Sequence, residues 1–431
     1  MRVFWFGAVL LLALQARAED RLQIDVYGSG GRAYQVAVQS FAAEEGAAQY
    51  LTPFYEALTA ALEFSSVFKV VDPGAFLEPR ETTDFELEMI PCDNWRAIGA
   101  DALVQGRLEL VRGRLRARFR LWDVLRCRHQ GERQYYEDAP EALSLLARRV
   151  ADEIVYRFSG RRGVAATQIA FVSDKSGNKE VYLMEADGSH RRSVTDNGSV
   201  NLFPDWSPDG DMLVYTSLQS QGFDLFTVSR GRGRGKVLLA ERAQKYRGVW
   251  ARDNGRIALT MHLNGNTDLY SVKRSGRGLK RLTTARSIES SPTWSADGKQ
   301  LAFVSDRSGS PQIYLKELKS GDERRLTFRG SYNAMPAWSP IGNWIVFSAQ
   351  TGTNFDLYLI DPESGYTTPL VVHPRSDEDP SWSPDGRKIV FSSSRRGRQE
   401  LYQIDLDGRN ERRVTGSFGN CTSPSWSPWL E

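Results

Sequence analysis

The chain has 431 residues, too many for one ordinary hydrophobic core, so two domains are the natural division. Hydrophobic residues make up 41% and charged residues 25%, the balance of a globular protein rather than a disordered or fibrous one. A formal net charge of only +3 over this length gives a nucleic-acid partner no support from global electrostatics.

Residues 1–18 read as a secretory signal peptide. Arg2 is the only early charge, Val3 to Leu14 is almost continuously apolar yet too short to span a bilayer, and Ala16-Arg17-Ala18 is a small-x-small cleavage pattern. The alternative, an N-terminal core helix, fits poorly with Glu19, Asp20 and Arg21 following at once. No cysteine stands at the cleavage point, so no lipid anchor is expected, and no later apolar run is long enough for membrane insertion. Residues 19–33 form a short segment with glycines at 28, 30 and 31. Its alternating Leu22-Gln23-Ile24-Asp25-Val26 reads either as a strand offered to a partner or as the first strand of the next domain.

Residues 34–160 have the grammar of an α/β domain with a mixed or antiparallel sheet. Tyr34 to Phe41 alternates like a strand. Ala47 to Leu62 is a helix with Leu51, Phe54, Leu58 and Leu62 on one face. Phe68 to Val71 is a short strand, and Asp93 to Ile98 a short helix leading to a strand at Ala102-Leu103-Val104. Arg107–Val111 and Leu115–Trp122 flank Arg112-Gly113-Arg114 as a hairpin. Pro140 to Phe158 is an amphipathic helix with Leu143, Leu146, Val150, Ile154 and Phe158 toward a core. Ser159-Gly160-Arg161-Arg162-Gly163 leads into a linker over 161–167. Three cysteines, Cys92, Cys127 and Cys421, leave at least one without an intramolecular partner; Cys92 and Cys127 are a possible pair whose distance the sequence does not give.

From residue 168 to 431 the chain repeats. Trp206, Trp250, Trp294, Trp338, Trp382 and Trp426 follow one another at intervals of 44 residues. That period suits one four-stranded propeller blade. Around the tryptophans the text recurs as Pro204-Asp205-Trp206-Ser207-Pro208-Asp209-Gly210, again over Pro292–Gly298 and Pro380–Gly386, and more loosely over Pro336–Gly342. Pro presets φ, Asp bonds nearby amides and Gly accepts positive φ. In the second copy Asn254 stands in the Gly position, the residue that best tolerates a left-handed backbone after glycine. Alternating runs such as Leu301–Ser305 and Asp356–Ile360 supply the other strands. The six tryptophans are expected to be structural, each packing on the neighbouring sheet. Three strands near residues 168–196 precede the first Trp, and the last Trp strand has none after it. The expectation is an all-β six-bladed propeller whose C-terminal strand, around Ser423–Ser427, completes the first blade and leaves no open edge.

An enzyme is the main rival reading. A peptidase needs a nucleophile, a base and an oxyanion site. The chain contains no Gly-x-Ser-x-Gly, and its last Trp strand lies close to residue 431, with no room after it for a hydrolase domain. His190, His262 and His373 fall in different repeats, so a histidine-held metal is not indicated. The run Arg230-Gly231-Arg232-Gly233-Arg234-Gly235-Lys236 suggests RNA binding but stands between two strands and reads as a solvated loop.

The order of these features resembles the TolB family over essentially the whole mature chain. Glu19-Asp20-Arg21-Leu22-Gln23-Ile24-Asp25 is similar to the family's N-terminal segment, Gly99 to Gly106 to its helix-to-strand junction, and Pro424 to Leu430 to its ending. The degenerate Trp250 turn and the cysteines depart from the pattern. The resemblance implies a non-enzymatic periplasmic component of the Tol–Pal system, supporting outer-membrane integrity and cell division. Alternatives are a propeller-containing hydrolase or lyase, or an accessory subunit of a peptidase. The resemblance also implies two partners. The peptidoglycan-associated lipoprotein Pal would bind the propeller, and the inner-membrane protein TolA would bind Glu19, Asp20, Arg21, Leu22, Gln23, Ile24 and Asp25. No cofactor or metal is expected, and the chain is expected to be a monomer before it binds a partner. Position before the second and third Trp selects Gln244, Arg247, Ser290 and Ser291 for Pal; the family's His and Ala are Gln244 and Arg247 here. The same entering loops add Tyr246 and Glu289, and those before the other Trp strands add Phe203, Met335 and Asp379. These positions vary between repeats, as a specific surface requires, and they mix aromatic, Arg and acidic groups.

Overall fold

A computed structural model describes residues 32–430, apart from residues 45, 83–84, 86–88, 130–133, 220–221, 232–233 and 240. The expected signal peptide, residues 1–18, and the segment Glu19–Asp25 lie outside the described residues, as do Arg232 and Gly233 of the basic run.

The first domain is a mixed sheet between two helical layers. Its strands run in the order Phe68–Val70, Tyr34–Val38, Ala102–Val111, Arg114–Asp123, Arg128–His129, with the first three mutually parallel and the hairpin antiparallel. The segments expected as separate strands at 102–104 and 107–111 are one strand, because Gln105 and Gly106 keep their pairing with Arg120 and Phe119. Helices α1 (Leu51–Phe64) and α3 (Leu143–Ser159) cover one face, burying Phe54, Leu58, Leu62, Leu146, Val150 and Ile154 against Val36, Val104 and Leu108. The shorter α2 (Cys92–Ala97) covers the other with Trp95, beside Leu103 and Trp122. Cys92 and Cys127 form a disulfide that ties α2 to the turn after the hairpin, and Cys421 is free and buried.

The second domain is six four-stranded sheets around a channel. Five are continuous in sequence; the sixth is not. Blade 1 joins Gln168–Ser173, Glu180–Glu185 and Arg192–Ser193 to the C-terminal strand Cys421–Trp426, which takes the innermost place. Blades 2 to 6 begin with the inner strands Asn201–Trp206, Gln244–Trp250, Glu289–Trp294, Asn333–Trp338 and Asp377–Trp382. Ring closure therefore follows the expected phase.

The core lies between blades. Each tryptophan is 5–6% exposed and reaches back to the preceding blade. The indole N–H groups of Trp206, Trp294 and Trp382 donate to the carbonyls of Ser425, Val249 and Ala337, at 2.9–3.1 Å. The Trp turns close as the sequence suggests: the amides of Gly210, Gly298 and Gly386 donate to the carbonyls of Ser207, Ser295 and Ser383. Asn254 takes the same place with φ 55°, against 72° for Gly210, so the degenerate copy keeps the left-handed geometry.

The Trp turns define a lower face and the starts of the inner strands an upper one. The α/β domain docks on the lower face of blades 1 and 6. Arg148 of α3 pairs with Glu185 and Asp187, at 3.4 and 2.7 Å. Lys388 is buried between Asp405, at 2.6 Å, and the Ser66 hydroxyl, at 2.7 Å. The Arg412 guanidinium lies 4.4 Å from the Phe64 ring centroid, and the Trp429 indole donates to the Gly163 carbonyl. The upper face is turned away from these contacts.

Removing residues 421–431 takes the inner strand from blade 1 and exposes the edge of Gln168–Ser173. The truncated protein is expected to lose the propeller's cooperative thermal transition. Unfolding at the full-length temperature would refute the closing role of this strand.

Candidate functional site

The upper mouth of the channel is shaped by one irregularity repeated six times. In each inner strand of blades 2 to 6 the pairing register slips by one residue ahead of the Trp, and the strand Cys421–Trp426 does the same against Gln168–Ser173. Each bulge holds a non-glycine residue at positive φ, three positions before its Trp: Phe203, Arg247, Ser291, Met335, Asp379 and Ser423, between 44° and 55°. A left-handed backbone at a residue with a Cβ costs about 1–2 kcal/mol. Here the ladders on both sides of the slip enforce it. Proline follows in five of the six, where the missing N–H is no loss to an interrupted ladder; blade 3 has Gly248. In two blades a threonine hydroxyl of the preceding blade holds the bulge amide. Arg247 N donates to Thr216 Oγ1 at 3.0 Å, and Ser291 N to Thr260 Oγ1 at 3.2 Å.

The bulges bring most of the sequence-selected residues together. Phe203, Tyr246, Arg247, Ser290, Ser291 and Met335 line one groove of about 290 Å³ on the upper face, with Thr260 and Thr267. Phe203 and Arg247 also line the central channel, together with Asp379, Asp205 and all six tryptophans. Arg247 and Asp379 form an ion pair at 2.9 Å, and the Arg247 guanidinium lies 5.4 Å from the Phe203 ring centroid.

Gln244 and Glu289 have other work. The Gln244 side chain lies over Gly222, where a Cβ would come within 2.0 Å of Nε2, and its Oε1 accepts from the amide of Phe223 at 2.8 Å. It thereby fastens a hairpin of blade 2. Glu289 is fully buried and paired with Arg307, so its side chain does not reach the groove. Five residues before every Trp the same thing happens. Asn201, Lys245, Asn333, Asp377 and Cys421 are all buried there, and Lys245 and Asp377 are clasped by Asp224 and Arg395. Sequence variation at this position reflects different ways of pairing a buried polar group rather than a variable surface.

The upper face carries apolar groups that the position argument missed. Leu218, Ile288, Phe328, Tyr332 and Val372 are exposed, Phe328 by 74% and Val372 by 66%, and all five lie in or beside the upper loops. Apart from Ile288 and Tyr332, each of which stands directly before an inner strand, no repeat signal marks them. The three propeller histidines do not converge. His262 is held by Thr267 at 3.0 Å, His373 receives the amide of Arg375 at 3.1 Å, and His190 sits beside Ser189 in a lower turn of blade 1.

Deeper in the channel Asp205 accepts from the amide of Trp250 at 2.8 Å and from the Ser425 hydroxyl at 3.2 Å, linking blades 1, 2 and 3. Burial pushes its carboxyl up to about 6, against the pull of those bonds and of Arg252 and Arg247. A folded value above the ordinary one means the native state holds the extra proton. This group's stabilising contribution is then full below about pH 4 and is lost as pH rises through about 6. Asp205→Asn retains an acceptor for Trp250 and does not ionise. Its stability relative to the wild type should rise by about 2–3 kcal/mol between pH 4 and 7 in denaturant unfolding. A difference independent of pH would refute the shifted carboxyl.

Comparison with known proteins agrees with this architecture. A family model described as the TolB beta propeller domain matches residues 155–430, and one described as the TolB amino-terminal domain matches residues 22–130. The Tol-Pal system protein TolB of Desulfosudis oleivorans is 37% identical over 184 residues, 43% of this chain and 42% of that protein. Its counterpart in Syntrophotalea carbinolica is 33% identical over 216 residues, 50% of each chain. The chain thus spans about half the length of these curated relatives, or somewhat less. The crystal structure of TolB from Acinetobacter baumannii shares the fold with a TM-score of 0.78, covering 92% of this chain and 97% of that one at 23% identity.

Proposed function

The chain belongs to the TolB family, and we propose that it works as the propeller component of a Tol–Pal system in the periplasm, by binding proteins rather than by catalysis. On this reading a Pal-like peptidoglycan-associated lipoprotein docks on the upper face, around the groove lined by Phe203, Tyr246, Arg247, Ser290, Ser291 and Met335. A TolA-like inner-membrane protein takes the segment Glu19–Asp25. Together the contacts link the two membranes and support outer-membrane integrity and division.

The observation that carries the docking site is the contrast between the two faces. The lower face carries the α/β domain on blades 1 and 6, through the Arg148–Asp187 ion pair and the bond from Lys388 to the Ser66 hydroxyl. The upper face is turned away from it and combines a groove with exposed Ile288, Phe328, Tyr332 and Val372. Exposed apolar groups rimmed by polar ones are the mark of a protein-binding surface. The groove is also built from side chains that differ from blade to blade on a shared backbone frame. That arrangement yields specificity at little cost to the fold.

The mature chain, residues 19–431, is the material for the test, titrated with the soluble domain of the Pal-like lipoprotein from the same organism. Arg247→Glu combined with Ser290→Trp should weaken binding by at least about 2 kcal/mol, roughly thirtyfold, with thermal unfolding intact. Unchanged affinity in the folded double variant would move the site to another face. Separately, deletion of residues 19–26 should abolish binding of a TolA-like domain and leave the unfolding temperature nearly unchanged. A large loss of stability would instead make that segment a strand of the α/β domain.

A further inference from the structure

Arg247 joins opposite sides of the ring. It belongs to the inner strand of blade 3, Asp379 to that of blade 6, and in a six-membered ring those blades face each other. Their 2.9 Å contact therefore crosses the channel as a bar just below the upper mouth. Both side chains are largely shielded, 17% and 9% exposed. Arg247 and Phe203 line the channel on one side and the groove on the other, whereas Asp379 lines only the channel. The guanidinium is thus part of the partition between the two cavities.

The ion pair engages one nitrogen, Nη2. A guanidinium carries five N–H donors in a planar fork, and among the described residues the Arg247 side chain has no other hydrogen bond or ion pair. Among the described residues Arg247 is also the only charged one lining the groove; the other walls are hydroxyls, Phe203, Tyr246 and Met335. A group entering from a partner meets underused donors in a groove otherwise lined by hydroxyl, aromatic and Met side chains. A carboxylate gains most there, a cation is repelled, and an apolar side chain leaves the donors unpaired.

The geometry points to a pocket for an acidic side chain: an Asp or Glu carboxylate of the docked protein takes Arg247 over from Asp379, and the bar across the channel opens as it does. The inference rests on the docking reading above. It makes Arg247 a specificity determinant and Asp379 an internal competitor that occupies the guanidinium until a partner arrives. Release of Asp379 has a cost, because it then stands without its cation next to Glu378 and near Asp377. Burial, followed by the charges of Asp379 and Asp377, already pushes the Glu378 carboxyl up. A partner has to overcome this cost, so neutralising Asp379 should help binding, whereas loss of Arg247 should harm it.

The opposite signs are the test. With the mature chain and the Pal-like domain in calorimetry, Arg247→Ala should weaken binding at least about tenfold, and Arg247→Lys, which keeps the charge without the fork, by less. Asp379→Asn should tighten binding about threefold or more, and the gain should vanish when Arg247→Ala is added. Thermal unfolding accompanies each variant, and Asp379→Ser replaces Asp379→Asn should the latter not fold. A purely structural ion pair would make both single variants weaken binding together, and that result overturns the proposal. Ser290→Trp separates the two levels. If it abolishes binding while the Arg247 variants do not, the carboxylate pocket is refuted and the docking face stands. If it too leaves binding unchanged, the docking face itself is wrong and the pocket falls with it.

Discussion

The structure depends on closing a ring of six twisted sheets without an open edge. A strand that ended the propeller unpaired would present a row of free N–H and C=O groups to solvent. The chain avoids this by building blade 1 from both ends of the propeller sequence, with Cys421–Trp426 against Gln168–Ser173. The same constraint fixes where the core can be. Each sheet buries its faces on its two neighbours, so Trp206 packs with Ala170 and Leu213, and Trp382 with Val346 and Ile389. Of the polar clasps five residues ahead of the Trp, Lys245–Asp224 crosses such a seam, whereas Glu289–Arg307 lies within blade 4. Buried Lys245 and Glu289 persist there because Asp224 and Arg307 supply the opposite charge.

Closure also accounts for the bulges. The channel is lined by the inner strands, and each carries one extra residue just ahead of its Trp. The extra residue has no place in the ladder and lies beside the channel mouth. The frame imposes the left-handed backbone there on whatever residue occupies the position. Phe, Arg, Ser, Met and Asp are all accepted, at φ values within 11° of one another. A strained position normally restricts the side chain. Here the strain is borne by the architecture, and the side chain is left to vary.

That division explains what could be read from the sequence. A 44-residue spacing of six tryptophans is a statement about repeats, and repeats fix blade number, phase and closure through pairing rules alone. Asn254 in a Gly position was legible because turn geometry is local. The bulges were not legible: no glycine marks them, and a register slip is visible only when the partner strand is present. Glu289 was selected as a surface residue because it varies between copies, but variation also arises where each blade pairs a buried polar group differently. The pairing of Cys92 with Cys127 was left open for a similar reason, since it requires α2 and the hairpin turn to be placed side by side. Arg247 with Asp379 is the extreme case. The two are 132 residues apart in sequence, and only the six-fold ring sets them face to face.

The two faces of the propeller illustrate how one repeat serves opposite ends. On the lower face the Trp turns recur with little change, and the α/β domain sits against blades 1 and 6, where Arg148 pairs with Glu185 and Asp187, Lys388 meets the Ser66 hydroxyl and Arg412 the Phe64 ring. Ion pairs of this kind, removed from water, are expensive to break, because each leaves an uncompensated charge behind. They hold a fixed orientation more effectively than they add stability. On the upper face one charge is underused. Among the described residues the Arg247 side chain has one ion pair, beside an aromatic ring, over a groove with no other charge. A fully satisfied charge locks two elements together, whereas a partly satisfied one keeps binding capacity in reserve. The Arg148–Asp187 pair is of the first kind, where the α/β domain sits, and Arg247 is of the second, where the surface is open.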